Sequence, residues 1–570
     1  MEKEFDPILV EVMLNRLISI VNEQAAALIS ASFTTLVRET EDLSCGIFTP
    51  KADMVVQAVT GTPGHINTMA TAIKHFVKKY SKAVIKPGDV LITNDPWLCS
   101  GHRNDFTSAT PIFKDGILVA WTATCCHSID IGGAGWTADA RDVYEEGLGL
   151  PLVKILEGGE PNRDVIEILK TNSRMPKELL GDITAQISSQ DVCADKLCEF
   201  MDQYHLDSIE SLAEVIFDRS EKAMRADIEA LPDGEYYHEV FLDGFDEPIK
   251  IAATLIINGT DLTVDYAGTS PQIGRGINVP INYTHAYTTY GIKTVIGPGV
   301  PNNEGSFRPV KVTAPKGCIL NTQFPYPVGG RHLTGHFCVA AVIGAFEKII
   351  PERTIGDGGG TYVPQWFGRT NEGKNFAINY FFNGGMGARF NKDGINALAF
   401  PANVKNSPIE VAENVSPLFF EKKELITDTG GIGKYRGGCG QSIAVRVNTP
   451  YQVVLTGLYE RTKFPTLGRK GGGNGGLAQF IVRNKDGKER KPYPPKSRHT
   501  LESGDCLILS LPGGGGYGQA HERNPKAVLE DIIQGYVSVN SAKEDYKVSV
   551  RKKNGKLEID WNETKKIREV

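Results

Sequence analysis

The sequence predicts an α+β protein of several subdomains with mixed sheets, and three observations lead to this prediction. A long N-terminal stretch, residues 8–36, repeats apolar residues at helical spacing. The middle of the chain alternates helical and strand-like segments. The last third combines short β-branched runs with clusters of glycine, which is typical of strands joined by tight turns.

The length of the chain indicates more than one region. Its 570 residues exceed what one hydrophobic core serves, since domains typically hold about 50–200 residues. We expect an N-terminal α+β region over residues 1–235 and a central α+β region with Gly-rich loops over 236–408. A C-terminal β-rich region over 409–570 would end in a short helix and a charged tail.

The individual elements follow from capping residues and from the two periods of apolar residues. Asp6-Pro7 marks the start of the long N-terminal helix, because Asp is a favoured N-cap and proline suits the first helical position. Leu14, Leu17 and Val21 give that helix one apolar face. Later elements are predicted as strands over 45–56, a helix over 68–80, sheet over 85–131, helices over 164–231, strands over 236–266, a helix over 340–349, short strands over 410–515 and a helix over 525–534.

Composition excludes several classes of function. Hydrophobic residues make up 41% and charged residues 23% of the chain, as in ordinary soluble globular proteins. The formal net charge is −6 and no Lys/Arg stripe could follow a phosphate backbone, so we expect no nucleic-acid partner. No segment reaches the roughly 18 apolar residues of a membrane helix, and Glu2 and Glu4 stand where a signal peptide would be basic. We therefore expect a cytoplasmic protein without a membrane partner.

The ten cysteines predict reduced thiols, because they include no C-x-x-C pair and no zinc or disulfide framework. Cys125-Cys126 lies beside His127 in a strand-like run. We expect at least one of the two in the core. A nucleophilic role for either is disfavoured, because no adjacent base and orienting group can be identified.

A predicted β-hairpin brings together residues that suit a metal ion. Residues 107–113 and 117–126 are strand-like and flank Asp115-Gly116, a favoured two-residue turn. Pairing outward from that turn places Asn104 opposite His127, beside the segment that holds His102 and Asp105.

Strict alternation would point His102 and Asp105 to opposite faces, but a turn at residues 103–104 would bring them together. Two imidazoles and a carboxylate suit a divalent ion such as Zn, Mn or Fe(II). Asp42, where the first helix gives way to a strand, could add a second carboxylate. The alternative is that each histidine is an ordinary hydrogen-bonded core residue, since H-x-x-D pairs are common.

The glycine runs match neither a Walker motif nor a dinucleotide-binding fingerprint. Tight turns that need positive φ are the favoured interpretation. The alternative is a Gly-lined pocket, for which residues 384–389 are the best candidate because an arginine ends the run. His332 and His336 fit one helical face without the glutamate of an H-E-x-x-H motif, which indicates structural or pocket-lining roles.

Several of these motifs, in order along nearly the whole chain, resemble the hydantoinase B/oxoprolinase family. Asp42-Leu43-Ser44-Cys45 is similar to the family's D-F-S-C segment. The other similar segments are Asn94-Asp95-Pro96, Gly101-His102-Arg103-Asn104-Asp105, Asp130-Ile131-Gly132-Gly133, Gly268-Thr269-Ser270-Pro271, residues 384–389, residues 434–438 and residues 512–518.

The resemblance implies a division of labour between two subunits. A hydantoinase-A-type partner, which carries ATP-Mg, phosphorylates a carbonyl oxygen, and the B-type chain processes the activated small molecule at a divalent metal. The resemblance carries the metal role to Asp42, His102, Asp105 and His127. In hydantoinases and oxoprolinases water then opens a cyclic amide, whereas related acetone and acetophenone carboxylases use bicarbonate instead.

One segment departs from the family pattern and keeps two reactions open. Many relatives carry H-H-x-D, whereas this chain has His127-Ser128-Ile129-Asp130, a form closer to the acetone-carboxylase type. Our first hypothesis is a subunit of a hetero-oligomeric, ATP-dependent cyclic-amide hydrolase, with Asp130 orienting a ligand imidazole or acting as a base. The alternatives are a ketone carboxylase subunit and a non-catalytic scaffold for the ATPase partner.

Overall fold

The computed structural model describes residues 5–80, 84–490 and 493–569. Met1 to Glu4, which include the two glutamates that argue against a signal peptide, lie outside the described residues. The described helices are α1 Pro7–Ala31, α2 Thr35–Arg38, α3 Pro63–Lys79, α4 Arg163–Asn172, α5 Pro176–Gln203, α6 Glu210–Glu229, α7 Ile281–Val295, α8 Glu304–Phe307, α9 His332–Gly335, α10 Phe337–Phe346, α11 Ile409–Val415, α12 Pro525–Ile533, α13 Val539–Glu544 and α14 Trp561–Arg568.

The described strands are β1 Leu43–Phe48, β2 Met54–Gln57, β3 Val90–Thr93, β4 Asp105–Lys114, β5 Ile117–His127, β6 Val153–Glu157, β7 Glu160–Pro161, β8 Gly234–Leu242, β9 Ile249–Asn258, β10 Asp261–Asp265, β11 Val310–Thr313, β12 Thr361–Arg369, β13 Asn375–Asn379, β14 Phe382–Asn383, β15 Leu418–Leu425, β16 Gln441–Val447, β17 Val453–Leu458, β18 Gln479–Arg483, β19 Glu489–Arg490, β20 Arg498–Leu501, β21 Cys506–Ser510, β22 Val550–Lys553 and β23 Lys556–Ile559. They form sheets of seven, four, five, five and two strands, so the predicted α+β class with mixed sheets is confirmed.

The described chain forms two compact units. The first holds residues up to His238, then Ile251–Val342 and Ala377–Asn379, and the second holds Glu239–Lys250, Ile343–Phe376 and Tyr380–Val570. Residues 236–408, expected as one central region, are thus divided between the two units. The division into three regions stays a prediction about independent folding.

In the first unit a seven-stranded sheet, in the order β2-β1-β5-β4-β3-β6-β7, lies between helices. One face carries a core built mainly by α1, α5 and α6, which includes Cys126. The opposite face packs against α3 and includes the neighbouring Cys125. Because side chains alternate along a strand, adjacent cysteines enter different cores, and all ten cysteines of the chain are free thiols.

The first helix is shorter than predicted, ending at Ala31 instead of running to residue 36. The chain turns out of the helix at Ser32, whose ψ of 148° is extended. The buried Asp182 of α5 accepts hydrogen bonds from the backbone of Phe33 at 2.7 Å and the hydroxyl of Thr34 at 2.5 Å. This carboxylate stabilises the break, which apolar periodicity cannot reveal.

The C-terminal segment, predicted as a charged tail after α12, is instead folded. Helix α13, the β22–β23 hairpin and α14 follow α12, and a small core joins Val528, Tyr546 and Ile559. None of the helices within the described ranges combines the length and the apolar character needed to cross a membrane.

In the second unit most of the clustered glycines do not serve as turns with positive φ, so the favoured interpretation is wrong for them. Gly385, Gly438 and Gly514 adopt φ outside the left-handed region, and a Cβ on any of them would collide with a neighbouring backbone. Their segments are hydrogen-bonded side by side: the N–H of Gly514 donates to Gly438 at 2.9 Å, and that of Gly438 to Met386 at 2.8 Å. These glycines permit close packing of backbone on backbone.

Two adjacent glycines allow a direct test of this packing. A Cβ on Gly475 would collide with the Gly513 carbonyl and the Thr466 hydroxyl, whereas one on Gly476 would lie 3.6 Å from Thr429. We expect Gly475→Ala to lower the free energy of unfolding by about 1–3 kcal/mol, and Gly476→Ala to change it by less than ~1 kcal/mol. Urea denaturation measures both, and equal effects of the two variants would contradict close packing at Gly475.

Candidate metal centre

The hairpin of β4 and β5 places Asp105 directly opposite His127. The prediction that Asn104 would face His127 is wrong by one residue, because Val119 has no partner in the register and shifts the pairing along the hairpin. The predicted turn at Asp115-Gly116 is confirmed, with positive φ at both residues. The bulge therefore places the carboxylate of Asp105, instead of the amide of Asn104, opposite the imidazole of His127.

His102 lies in the bend before β4 and reaches the same carboxylate. Its Nε2 is 2.7 Å from Oδ1 of Asp105, and Nδ1 of His127 is 2.9 Å from the same oxygen. The expected turn at residues 103–104 is confirmed, because the strand begins only at Asp105. Two imidazoles therefore converge on one carboxylate oxygen.

Asp42 completes the predicted group from the neighbouring strand. Strand β1 pairs with β5, and the backbone N–H of His127 donates to the Asp42 carbonyl at 3.3 Å. The Asp42 carboxylate lies 4.0 Å from Nδ1 of His127 and accepts a hydrogen bond from the Thr62 hydroxyl at 2.9 Å. The structure thus brings Asp42, His102, Asp105 and His127 together, all of them buried.

The protonation of His102 matters because both of its ring nitrogens face acceptors. Nδ1 lies 3.1 Å from the carbonyl oxygen of Gly329, and Nε2 lies 2.7 Å from Oδ1 of Asp105. Burial and the nearby Arg331 lower the pKa of His102 to about 3, so the ring is neutral near neutral pH and carries one hydrogen. With that hydrogen on Nδ1, Nε2 presents a lone pair to Asp105.

A neutral His102 can donate to only one of its two acceptors, and a cation between Nε2 and Asp105 would satisfy the other contact. Donor atoms of His102, Asp105 and His127 lie within 4.8 Å of one another, and the Asp42 carboxylate lies 4.0 Å from Nδ1 of His127. Imidazoles and carboxylates together fit a borderline divalent ion such as Zn, Mn or Fe(II). The ring nitrogen Nε2 of His127 also has no hydrogen-bond partner in the described chain, although it is buried. The residues present therefore fit a divalent metal.

Arg331 and His65, whose roles the sequence did not predict, hold the other oxygen of Asp105. Nη2 of Arg331 lies 2.6 Å and Nε2 of His65 2.9 Å from Oδ2. Burial alone would raise the pKa of Asp105, but the His65 imidazole and the Arg331 guanidinium at its second oxygen lower it, and this pKa lies well below its ordinary value. Asp105 is therefore ionised, and its two oxygens have separate partners.

His65 also approaches Asp42, whose Oδ1 lies 3.7 Å from Nε2. Burial disfavours a charged His65, yet the carboxylates of Asp105 and Asp42 outweigh burial and raise its pKa. The sequence held a signal for this residue: Thr62-Pro63 is a typical helix start, and α3 begins at Pro63 instead of residue 68. His65 therefore lies in the first turn of a helix that points at the site.

A buried carboxyl group supports the peptide that orients His102. Oε1 of Glu146 accepts hydrogen bonds from the backbone N–H of Val328 at 2.5 Å and of Gly329 at 2.6 Å. Trp136 donates its indole N–H to the same Gly329 carbonyl at 2.7 Å. Burial raises the pKa of Glu146 to about 8. Glu146 and Trp136 thus fix the acceptor that sets the tautomer of His102.

Asp130, expected to act as a base or to orient an imidazole, has other partners. Its carboxylate accepts from the backbone N–H of Arg174 at 2.5 Å and from the Ser173 hydroxyl at 3.3 Å, and it forms an ion pair with the Arg174 guanidinium. These contacts anchor the segment before α5. The role of Asp130 as a base or as an orienting group stays a prediction.

Cys125 lies close to the centre without a reactive character. Its Sγ and donor atoms of His65 and Asp105 all lie within 4.8 Å of one another. Burial and the charge of Asp105 raise the pKa of Cys125 well above its ordinary value. A protonated thiol packed beneath the centre agrees with the expectation that cysteine chemistry is disfavoured.

Comparison with known proteins gives one family. A family model described as hydantoinase B/oxoprolinase matches residues 6–520. The chain is 32% identical over its full length to a protein of Pseudomonas sp. (strain NS671) provisionally named as the B chain of a D-/L-hydantoinase, 99% of which is covered. It is 30% identical to the beta chain of caprolactamase from Pseudomonas jessenii, with 97% of each chain covered.

Solved structures share the fold. The ATP-dependent caprolactamase from Pseudomonas jessenii matches over the full length of both chains, with 27% identity and a TM-score of 0.89. A nucleotide-free acetone carboxylase structure matches with 20% identity and a TM-score of 0.89, over 99% of this chain and 82% of that one. At 20% identity the second likeness concerns the fold alone.

Proposed function

This chain belongs to the hydantoinase B/oxoprolinase family, and on that premise we propose that it is the metal-binding catalytic subunit of a heteromeric, ATP-dependent enzyme. The proposed reaction is the hydrolysis of a phosphorylated cyclic amide of the hydantoin, oxoproline or lactam type. The observation that carries the proposal is the buried imidazole of His102, whose two nitrogens face two acceptors, the Gly329 carbonyl and the Asp105 carboxylate.

The proposed ligands are Asp42, His102, Asp105 and His127. A divalent ion bound there (Zn, Mn or Fe) supplies Lewis acidity that activates water and polarises a carbonyl or imidate carbon. The chain's own residues hold the ligands in place. The Gly329 carbonyl would accept the hydrogen of Nδ1 of His102 and so leave the lone pair of Nε2 for the metal.

A partner subunit completes the proposed enzyme. The sequence holds no Walker motif, and two relatives at 30% identity or more are named as components of multi-chain enzymes, one the B chain of a hydantoinase and one the beta chain of a caprolactamase. We therefore assign ATP-Mg to a hydantoinase-A-type partner, which delivers a phosphorylated small molecule to this chain.

A second candidate reaction is ATP-dependent carboxylation of a ketone by a complex of the same kind. The observation that favours it is His127-Ser128-Ile129-Asp130, which lacks the second histidine of many hydantoinase B chains. The same four ligands would then act on bicarbonate or a carboxylated product. The identities of the full-length relatives favour hydrolysis.

One experiment separates the two reactions. The chain is co-purified with its hydantoinase-A-type neighbour and assayed for ATP turnover and consumption of hydantoin, 5-oxoproline, ε-caprolactam and acetone, with and without bicarbonate. We expect ring opening that does not depend on bicarbonate. Strict bicarbonate dependence with acetone would replace the hydrolase by the carboxylase, and full activity of complexes without the four ligands would leave only a scaffold role.

The anchoring role of Asp130 gives a separate prediction. Asp130→Asn removes the charge that faces Arg174, and we expect it to lower the free energy of unfolding by about 1–3 kcal/mol. Metal content and turnover should stay within about threefold of the unsubstituted complex. A loss of turnover by the ~10²–10⁴-fold typical of a missing general base, in a stable and metal-loaded complex, would support the catalytic role.

A further inference from the structure

His332 is a buried histidine next to the proposed centre whose ring has no hydrogen bond within the described chain. It opens the short helix α9, directly after Arg331, and only 6% of its surface is exposed. Neither Nδ1 nor Nε2 has a partner in the described residues. Buried polar atoms almost always have hydrogen-bond partners, so two unpaired nitrogens on one ring indicate a binding position for a polar molecule.

The imidazole of His332 contacts Trp136, whose indole also contacts the proposed ligands. The ring centroids of Trp136 and His332 are 5.2 Å apart, and Trp136 itself lies 4.2 Å from His127 and 5.7 Å from His102. His332 also contacts His336, with ring centroids 5.7 Å apart. The indole of Trp136 thus contacts both the ligand imidazoles and His332.

His332 stays neutral in these surroundings. Burial first, and then the neighbouring His336 and the charge of Arg331, lower the pKa of His332 well below its ordinary value. A neutral imidazole carries one N–H donor and one lone-pair acceptor. A ring-closed amide or ureide offers a carbonyl oxygen that accepts from such a donor.

We propose that His332 is a substrate-binding residue that hydrogen-bonds the polar edge of the cyclic amide beside the metal ligands. This inference rests on the proposed function, since it places the substrate between His332 and the Asp42–His102–Asp105–His127 group. His332 donates from one ring nitrogen to a carbonyl oxygen of the substrate. No covalent bond to His332 is formed.

The test compares substitutions that differ in polarity. His332→Phe keeps a ring and removes both polar nitrogens, whereas His332→Gln keeps one donor and one acceptor. In the complete two-subunit complex we expect His332→Phe to lower kcat/KM for the best of hydantoin, 5-oxoproline and ε-caprolactam by about 10–100-fold, mainly through KM. His332→Gln should stay within about fivefold of the unsubstituted complex.

The matched control is His336→Phe, the same change four residues along the chain. His336 contacts the rings of Tyr287 and His332 and lies 3.5 Å from the Tyr283 hydroxyl, so its role is packing. We expect this variant to keep kcat/KM within about threefold. If His332→Phe fails to fold, as judged by circular dichroism, His332→Leu takes its place with the same expectation.

Metal content and calorimetric binding of the three probes separate this inference from the proposed function. A His332→Phe complex with full metal content and unchanged KM would overturn the binding role while leaving the hydrolase intact. If the unsubstituted complex binds a probe without hydrolysing it, the hydrolase proposal fails, and loss of that binding in His332→Phe still supports the inference. An unsubstituted complex that neither binds nor turns over any probe would contradict both.

Discussion

Replacing His127 with alanine is expected to remove the metal from the protein and to lower substrate turnover by at least ~10³-fold. His127 supplies one of the four proposed donors, and its Nδ1 lies 2.9 Å from Asp105 and 4.0 Å from Asp42. Without this imidazole the proposed ligand set lacks a nitrogen donor and is incomplete.

The measurement is metal content by plasma mass spectrometry together with turnover of the co-purified complex. His75→Ala is the control, because this half-buried histidine of α3 lies outside the ligand group. It should keep both metal and turnover. A His127→Ala complex that keeps its metal and hydrolyses substrate at the full rate would contradict the ligand assignment.

Replacing Arg331 with methionine is expected to have the second-largest effect, this time on stability as well. The guanidinium is buried, donates to Asp105 at 2.6 Å and to the Ser100 carbonyl at 2.5 Å, and lies 4.2 Å above the ring of Tyr283. Removing one partner of a buried ion pair costs about 3–5 kcal/mol, because the other charge stays buried. Loss of a residue that positions a ligand weakens metal binding by about 10–100-fold.

Chemical denaturation and metal titration of the purified complex measure these two effects. The control is Arg308→Met, because Arg308 is partly exposed and pairs with Glu214, Asp218 and Glu221 on the surface. Exposed ion pairs contribute about 0–1 kcal/mol. If Arg331→Met and Arg308→Met lowered stability and metal affinity equally, Arg331 would not be needed to position the Asp105 carboxylate.

The sequence was sufficient where the residues of the site are close along the chain. His102, Asp105 and His127 belong to one hairpin, and a two-residue turn fixes which strands pair. The register error of one residue arose from the bulge at Val119, whose cause lies in packing and leaves no mark in the apolar alternation. Asp42 joined the group because it precedes a strand that pairs with the hairpin.

Residues that come from distant segments could not be predicted in the same way. Arg331 lies 226 positions from Asp105, and no period in the sequence connects the two. Glu146 acts through the backbone of Gly329, so its side chain carries no motif. The glycine runs could not be interpreted correctly for a different reason. A turn with positive φ and a close contact between two backbones both favour glycine, so the sequence alone does not distinguish them.

The most direct test of the central claim is the metal content of the unsubstituted chain, co-purified with its hydantoinase-A-type partner, followed through chelation and re-addition. We expect about one divalent ion per chain, parallel loss of ion and substrate turnover on chelation, and return of both when Zn, Mn or Fe(II) is restored. A metal-free complex that turns over its substrate at the full rate would contradict the assignment of a metal centre.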